Sequence, residues 1–143
     1  MKNNVSFLHL NIQSLKAKLG LISAEYGDFD IHVLSFTETW LKHSTPDRDI
    51  ELNSSSVPLR KERVESSYGA VAVYIKETVH YERKTDLEIN GLECVWVELK
   101  RKNQKVLYGT FYVPPSSPFQ RLKFSLSHLE CNLQFPSFFF FFH

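Results

Sequence analysis

The hydrophobic pattern opens on two short apolar runs, VSFLHLN at 5–11 and IHVLSFTE at 31–38, each closed by a polar residue, Asn11 and Glu38. Both read as buried strands. Between them Leu15, Leu19, Ile22 and Tyr26 recur at helical spacing behind Ser14, a residue type that favours the N-cap position. The expected helix spans 15–26, is weakened by about 1 kcal/mol at Gly20 relative to alanine, and stops at Gly27 and Asp28. Strand, helix and strand in this order form a βαβ unit with parallel strands. Ligands of such sheets gather beyond the carboxyl ends of the strands. A carboxamide and a carboxylate are therefore expected on one rim of one sheet.

Residues 41–58 contain Pro46, Pro58 and a serine run, the pattern of a long loop of the kind that often carries function. From Gly69 the period changes to two. GAVAVYIKE, VHYERKT, ECVWVELKR and KVLYGTFYV read as four strands of an antiparallel meander, with Asn90-Gly91 as a turn before the third. Pro114 and Pro115 end the last of them, because proline cannot donate to a ladder. Phe119, Leu122, Leu126, Leu129 and Leu133 then predict a second amphipathic helix over 119–133. The chain closes on LQFPSFFFFFH. Five successive phenylalanines show neither strand alternation nor helical period and form an aggregation-prone run. They are far too few to span a bilayer, which counts against an anchor. They read as a tail outside the domain, the translation of a thymine-rich tract past the natural frame. The expected division is a domain over 1–133 and a Phe-rich tail over 134–143.

The 143 residues support one domain, and 43% hydrophobic content suits a packed core. A net charge of +1 gives no global footprint of a nucleic-acid binder. The basic stretches LRKER at 59–63 and LKRKNQK at 99–105 read first as solvated turns or strand edges. Cys94 lies in an apolar strand pattern far from Cys131, so a buried free thiol is expected instead of a disulfide or metal pair. The histidines lack zinc-ligand spacing. The apolar stretch after Lys2 is short and breaks at Asn11, so neither a signal peptide nor a membrane span is expected. The expected location is intracellular, with the nucleus as a candidate.

Five strings occur in register across about 110 residues: LNIQSL at 10–15, LSFTETW at 34–40, YGAVAVYI at 68–75, ECVWVEL at 93–99 and GTFYVPP at 109–115. Together they resemble the endonuclease/exonuclease/phosphatase superfamily, and most closely the endonuclease domain of non-LTR (LINE-type) retrotransposons. The TETW form is similar to that branch, whereas repair and phosphatase branches usually carry Gln-Glu there. The resemblance covers roughly the first half of the family domain. It implies an α/β fold, a four-layer sandwich of two sheets with helices outside, of which one mixed sheet and its helices are expected here and the second sheet is expected to be missing. It implies Mg²⁺-dependent hydrolysis of a DNA phosphodiester. Glu38 would be the metal ligand, Asn11 would hydrogen-bond near metal and phosphate, and Tyr112 would donate to a phosphate oxygen. On residue type alone, Asn11 is a turn former, Glu38 a solvated strand end and Tyr112 a packing residue. Trp40 and Trp96 read as core, and Arg60 and Arg63 as basic residues of either structural or functional use.

Two departures limit the expected activity. The family's later Gly-Asp-x-Asn and Ser-Asp-His segments, which supply the water-activating Asp, the phosphate-holding Asn and the His–Asp pair, do not occur in this sequence. Tyr68 also stands where the family commonly has glycine. A positioned general base or acid contributes about 10²–10⁴-fold, so the chain by itself is expected to be inactive. Strands 69–112 without a second sheet are expected to expose an apolar face and to self-associate through it. A non-catalytic retroelement relic or interaction module, and a phosphatase-like phosphoesterase, are the competing functions.

Overall fold

In a computed structural model, residues 5–63 and 68–114 are described in full and residues 137–142 by their backbone. The elements are β1 (Phe7–Asn11), α1 (Leu15–Tyr26), β2 (Val33–Thr37), β3 (Leu59–Lys61), β4 (Val71–Ile75), β5 (His80–Arg83), β6 (Glu93–Arg101), β7 (Gln104–Tyr112) and β8 (Ser137–Phe142). Short 3-10 turns lie at Asp47–Ile50 and Thr85–Leu87.

They form two four-stranded sheets. The first, ordered β1-β2-β4-β3, is mixed: β1 and β2 are parallel, and β4 runs antiparallel to both β2 and β3. The second, ordered β5-β6-β7-β8, is antiparallel across β5, β6 and β7 and parallel between β7 and β8. The α/β class and the βαβ unit are as expected.

The single sheet and the single meander are not. The four period-two runs divide between the sheets, β4 going to the first and β5–β7 to the second. The reason lies in β4, whose five residues VAVYI are buried on both faces. Val71, Val73 and Ile75 join Val33, Val95, Val97, Leu99, Val106 and Tyr108 between the sheets, while Ala72 and Tyr74 pack with Leu15, Ile22 and Phe36 under α1. A strand covered on both faces belongs in the middle of a layered sheet. A one-residue slip would exchange these two sets, so the layering fixes the register.

The expected exposed apolar face is also not found among the described residues. The inner face of β6 and β7 is filled from the first sheet, and on the opposite face Cys94, Trp96, Leu107 and Phe111 are buried as well. Gly109 makes room there for Trp96, its cross-strand partner: a Cβ would sit 2.7 Å from the ring. Free Cys94 is buried, and burial raises its thiol pKa.

The loop at 41–58 contains the first 3-10 turn, and β3 follows it, too short and too polar for its pattern to announce. The helix expected at 119–133 and Cys131 lie outside the described residues. The backbone of Ser137–Phe142, assigned by sequence to the tail, runs as a strand beside β7. Among the described residues no helix is long and apolar enough to cross a membrane.

Candidate active site

Strand direction gathers the chemistry. β1 and β2 are parallel, so Asn11 and Thr37, which pair in register, end at the same rim, and Glu38 follows at once. β4 is antiparallel to β2, so its first residue, Val71, also lies there opposite Thr37, preceded by Gly69 and Ala70. In the second sheet Glu93 opens β6 opposite Tyr112, which closes β7. Side-chain alternation places Asn11 on the same face as Phe7 and His9. That face looks into the layer between the sheets, where Phe7 stacks on Tyr108 with centroids 5.0 Å apart.

Toward the rim this layer turns polar. His9 Nδ1 and Ser35 Oγ are 2.8 Å apart, and Ser35 is hydrogen-bonded in turn to the Tyr108 hydroxyl. Thr37 Oγ1, the next group up β2 on that face, is buried with no hydrogen-bond partner among the described residues.

The backbone at the rim is bent into left-handed turns. Gln13, Ser14, Glu38, Trp40 and Ala70 have positive φ, as does Gly69. The non-glycine residues among them cost of order 1–3 kcal/mol each, and a dense set of cross-links holds them. Ile12, Ser14 and Leu15 N–H donate to the carbonyls of Thr37, Glu38 and Thr39, and Thr39 and Trp40 N–H donate to those of Ala70 and Gly69. Ser14 occupies the expected N-cap position, but its side chain makes no cap; with φ 77° its backbone is committed to the Glu38 carbonyl instead. The first turn of α1 is thereby tied to the residues that carry Glu38.

Glu38 Oε2 accepts from the Trp40 indole N–H at 2.8 Å and from Gly69 N–H at 3.3 Å, and the carboxylate is hydrogen-bonded to the Tyr112 hydroxyl. Burial pushes its pKa up. The three hydrogen bonds and the Arg63 charge outweigh that and hold it below the ordinary carboxylate value. Tyr112 is pushed up to about 12 by burial and by its hydrogen bond to Glu38, so it stays a proton donor at neutral pH. Trp40 is therefore a site residue and not core, half-buried, with its ring edge-on to exposed Tyr68 at 5.3 Å. Trp96, at 1% exposure, is core as expected.

Arg63 and Glu93 complete the rim. Both Nε and Nη2 of Arg63 donate to Glu93 Oε2, at 3.2 and 2.9 Å, and the guanidinium lies 5.5 Å from the Tyr112 ring centroid. Glu93 Oε1 accepts from Ala70 N–H at 2.6 Å. The sequence left Arg63 open between a structural and a functional use and did not single out Glu93. The available signal was a carboxylate at the first position of the apolar strand ECVWVEL, where burial demands a partner. Arg60 is structural: it bridges Asp47, Glu62 and the carbonyls of Lys42 and Thr45.

Glu38 and Tyr112 are thus brought into contact. Asn11 shares their rim, but no hydrogen bond joins it to either among the described residues. A cavity of about 400 Å³ opens at the other end of β2, between the end of α1 and residues 52–55. Of the residues lining it, His32 and Lys76 are engaged by Arg101 and Asp30, and Glu38, Tyr112 and Asn11 are not among them.

No protein-family model matches the sequence, and no curated protein matches it. Solved structures do. The endonuclease domain of TRAS1, a telomere-specific non-LTR retrotransposon, aligns over 97% of this chain and 58% of its own, with a TM-score of 0.64 at 11% identity. The human Nocturnin catalytic domain aligns over 93% of this chain and 61% of its own, with a TM-score of 0.61 at 11% identity. The chain has part of the endonuclease/exonuclease/phosphatase fold. A third example of the fold, the 3′ phosphatase NExo from Neisseria bound to a product DNA hairpin, gives a TM-score of 0.52 at 14% identity over 88% of this chain and 48% of its own. The chain spans about three fifths or less of the length of these structures.

Proposed function

We propose that this chain carries the metal-side half of a DNA endonuclease site of the non-LTR retrotransposon type. The observation that supports this most is the contact between a single carboxylate, Glu38, and a high-pKa phenol, Tyr112, at the carboxyl rim of the parallel strand pair.

The residues fit Mg²⁺. No group of three His, Cys, Asp or Glu side chains converges among the described residues, so an ion here would draw most of its oxygens from water and substrate. That is the habit of Mg²⁺, which takes one or two carboxylates and keeps its waters. One residue before Glu38, the buried Thr37 hydroxyl has no hydrogen-bond partner among the described residues, a polar atom that an ordered water would satisfy. Mg²⁺ bound at Glu38 would supply Lewis-acid stabilisation of charge on a phosphoryl oxygen.

The chain's own groups do the rest. Glu38 stays ionised through neutral pH. Tyr112 keeps its proton and can turn it from Glu38 to a non-bridging phosphate oxygen. Asn11, exposed at the end of β1, offers a carboxamide on the same rim. None of these groups is a base for the attacking water, and the Gly-Asp-x-Asn and Ser-Asp-His strings that serve this in the family do not occur in the sequence. Binding of metal and phosphate without appreciable turnover is the behaviour proposed for the 143-residue chain alone.

A Mn²⁺ titration of Trp40 emission tests the metal site, with buried Trp96 as a constant background. Saturable quenching in the wild type that is lost in Glu38→Ala is expected. Equal quenching in both would remove Glu38 from the site. In parallel, a supercoiled plasmid in Mg²⁺ should be nicked no faster by the wild type than by Glu38→Ala. Faster nicking would show that the chain supplies its own base.

A further inference from the structure

Arg63 and Glu93 form an ion pair in a place where stability alone does not require one. Glu93 is 8% exposed, and a buried ion pair is often replaceable by apolar residues at no loss of stability. What distinguishes this pair is where its free ends go. The second oxygen of Glu93 does not face solvent but clips Ala70 N–H at 2.6 Å. The guanidinium, partly exposed, lies over the Tyr112 ring with 5.5 Å to its centroid. The turn at Gly69–Ala70 and the phenol of Tyr112 provide two of the hydrogen bonds that Glu38 receives. The fit against Gly69 is close: a Cβ there would lie 2.4 Å from Glu93 Oε1 and 3.1 Å from Arg63 Nη2, so either side chain would have to shift.

We infer that Arg63 and Glu93 are positioning residues for the metal-binding carboxylate: Glu93 fixes the Gly69–Ala70 turn, Arg63 fixes the ring of Tyr112, and the two together set where Glu38 points. The inference rests on the proposed reading of Glu38 as a metal ligand, and extends it to a pair that touches neither ion nor phosphate. It accounts for the joining of the two sheets at this rim. Glu38 and Gly69 belong to the first sheet and Tyr112 to the second, so their relative placement depends on a link between sheets. The apolar layer, the Phe7–Tyr108 stack and the Ser35–Tyr108 hydrogen bond join the sheets further in; the Arg63–Glu93 pair, from the end of β3 to the start of β6, is a link at the rim itself.

The test uses the full 143-residue chain and two conservative variants, Arg63→Lys and Glu93→Gln. Arg63→Lys keeps the charge but loses the planar fork; Glu93→Gln keeps an acceptor for Ala70 N–H but loses the charge. The first readout needs no metal: the ¹⁵N–¹H resonances of the Trp40 indole and the Gly69 amide, both donors to Glu38. In each variant they are expected to move toward their positions in Glu38→Ala while resonances of the core strands stay in place. The second readout is Mn²⁺ affinity, expected to fall about 10-fold or more, the usual effect of removing groups that orient a metal ligand.

Folded variants with both N–H resonances unmoved and Mn²⁺ affinity unchanged would overturn the inference and leave the pair as simple packing. If Glu38→Ala binds Mn²⁺ as well as the wild type does, the metal reading fails, and the N–H resonances still decide the positioning role. Should Glu93→Gln unfold, Arg63→Lys carries the test.

Discussion

Replacing Gly69 by alanine loads the rim at its tightest point. Two costs add. Gly69 has φ +81°, and an L-residue held there costs about 1 kcal/mol. The new methyl would also lie 2.4 Å from Glu93 Oε1, with Arg63 Nη2 and Cζ at 3.1 and 3.2 Å. The carboxylate is the end of a flexible side chain and can move, but only by giving up its hydrogen bond from Ala70 N–H or its pairing with Arg63. A hydrogen bond to a charged group contributes about 2 kcal/mol. The expected loss is thus about 3 kcal/mol, or about 12 °C in Tm at about 4 °C per kcal/mol for a chain of this size. Gly91 is the control. It has nearly the same φ, +80°, but nothing lies within 4 Å of its Cβ position. Gly91→Ala should therefore lose only the backbone cost, about 1 kcal/mol or about 4 °C. Scanning calorimetry or thermal circular dichroism on the two variants measures the difference. Midpoints within about 2 °C of each other would refute the claim that Glu93 is held against Gly69 by specific bonds.

Three further expectations follow from other parts of the structure. Gly109→Ala should cost about 1–3 kcal/mol by overpacking, because its Cβ would meet the Trp96 ring at 2.7–2.8 Å; a changed near-ultraviolet tryptophan spectrum with a lowered Tm checks it. Gly20→Ala should have the opposite sign, a gain of about 1 kcal/mol in chemical denaturation, since it sits in α1 with nothing within 4 Å of the new methyl. His32 has its pKa lowered by burial and by the charges of Arg101 and Lys76 against the opposing Asp30. The folded protein thus binds this proton less readily than the unfolded chain does. Its stabilising contribution is complete above the unfolded value near 6.5 and is lost as pH falls below it toward the folded value. Tm should drop from pH 7 to pH 5, and the drop should shrink in His32→Gln.

The parts that were legible in the sequence are those governed by local pattern. Periodicity marks β1, α1 and β2, and the parallel connection by itself puts Asn11 and Glu38 on one rim. Alternation also marked β4 to β7 as strands, but it reports which face a side chain takes and not which strand lies alongside. VAVYI is apolar at every position, so its seat in the first sheet rather than in a meander with β5 was invisible. β3, three residues of LRK, had no pattern to offer.

At the site, residue type misled where one atom decides the role. Trp40 reads as core by its ring, yet its indole N–H is what holds Glu38. Glu93 and Arg63 are thirty residues apart, and only the packing of the two sheets makes them one unit. The Thr37 hydroxyl could not be singled out at all, because nothing in a sequence shows that a threonine will be buried without a partner. The tail showed no strand pattern for a different reason. The register of Ser137–Phe142 beside β7 is one of backbone pairing, which any residue but proline supports.

The most direct measurement of the central claim is a crystal of the 143-residue chain soaked in Mn²⁺, with the ion located by anomalous scattering. The expected result is one ordered ion about 2.1 Å from a Glu38 carboxylate oxygen, at the rim shared by Asn11 and Tyr112, and absent from crystals of Glu38→Ala. An ordered Glu38 with no ion beside it, or an ion held elsewhere in both crystals, would contradict the assignment.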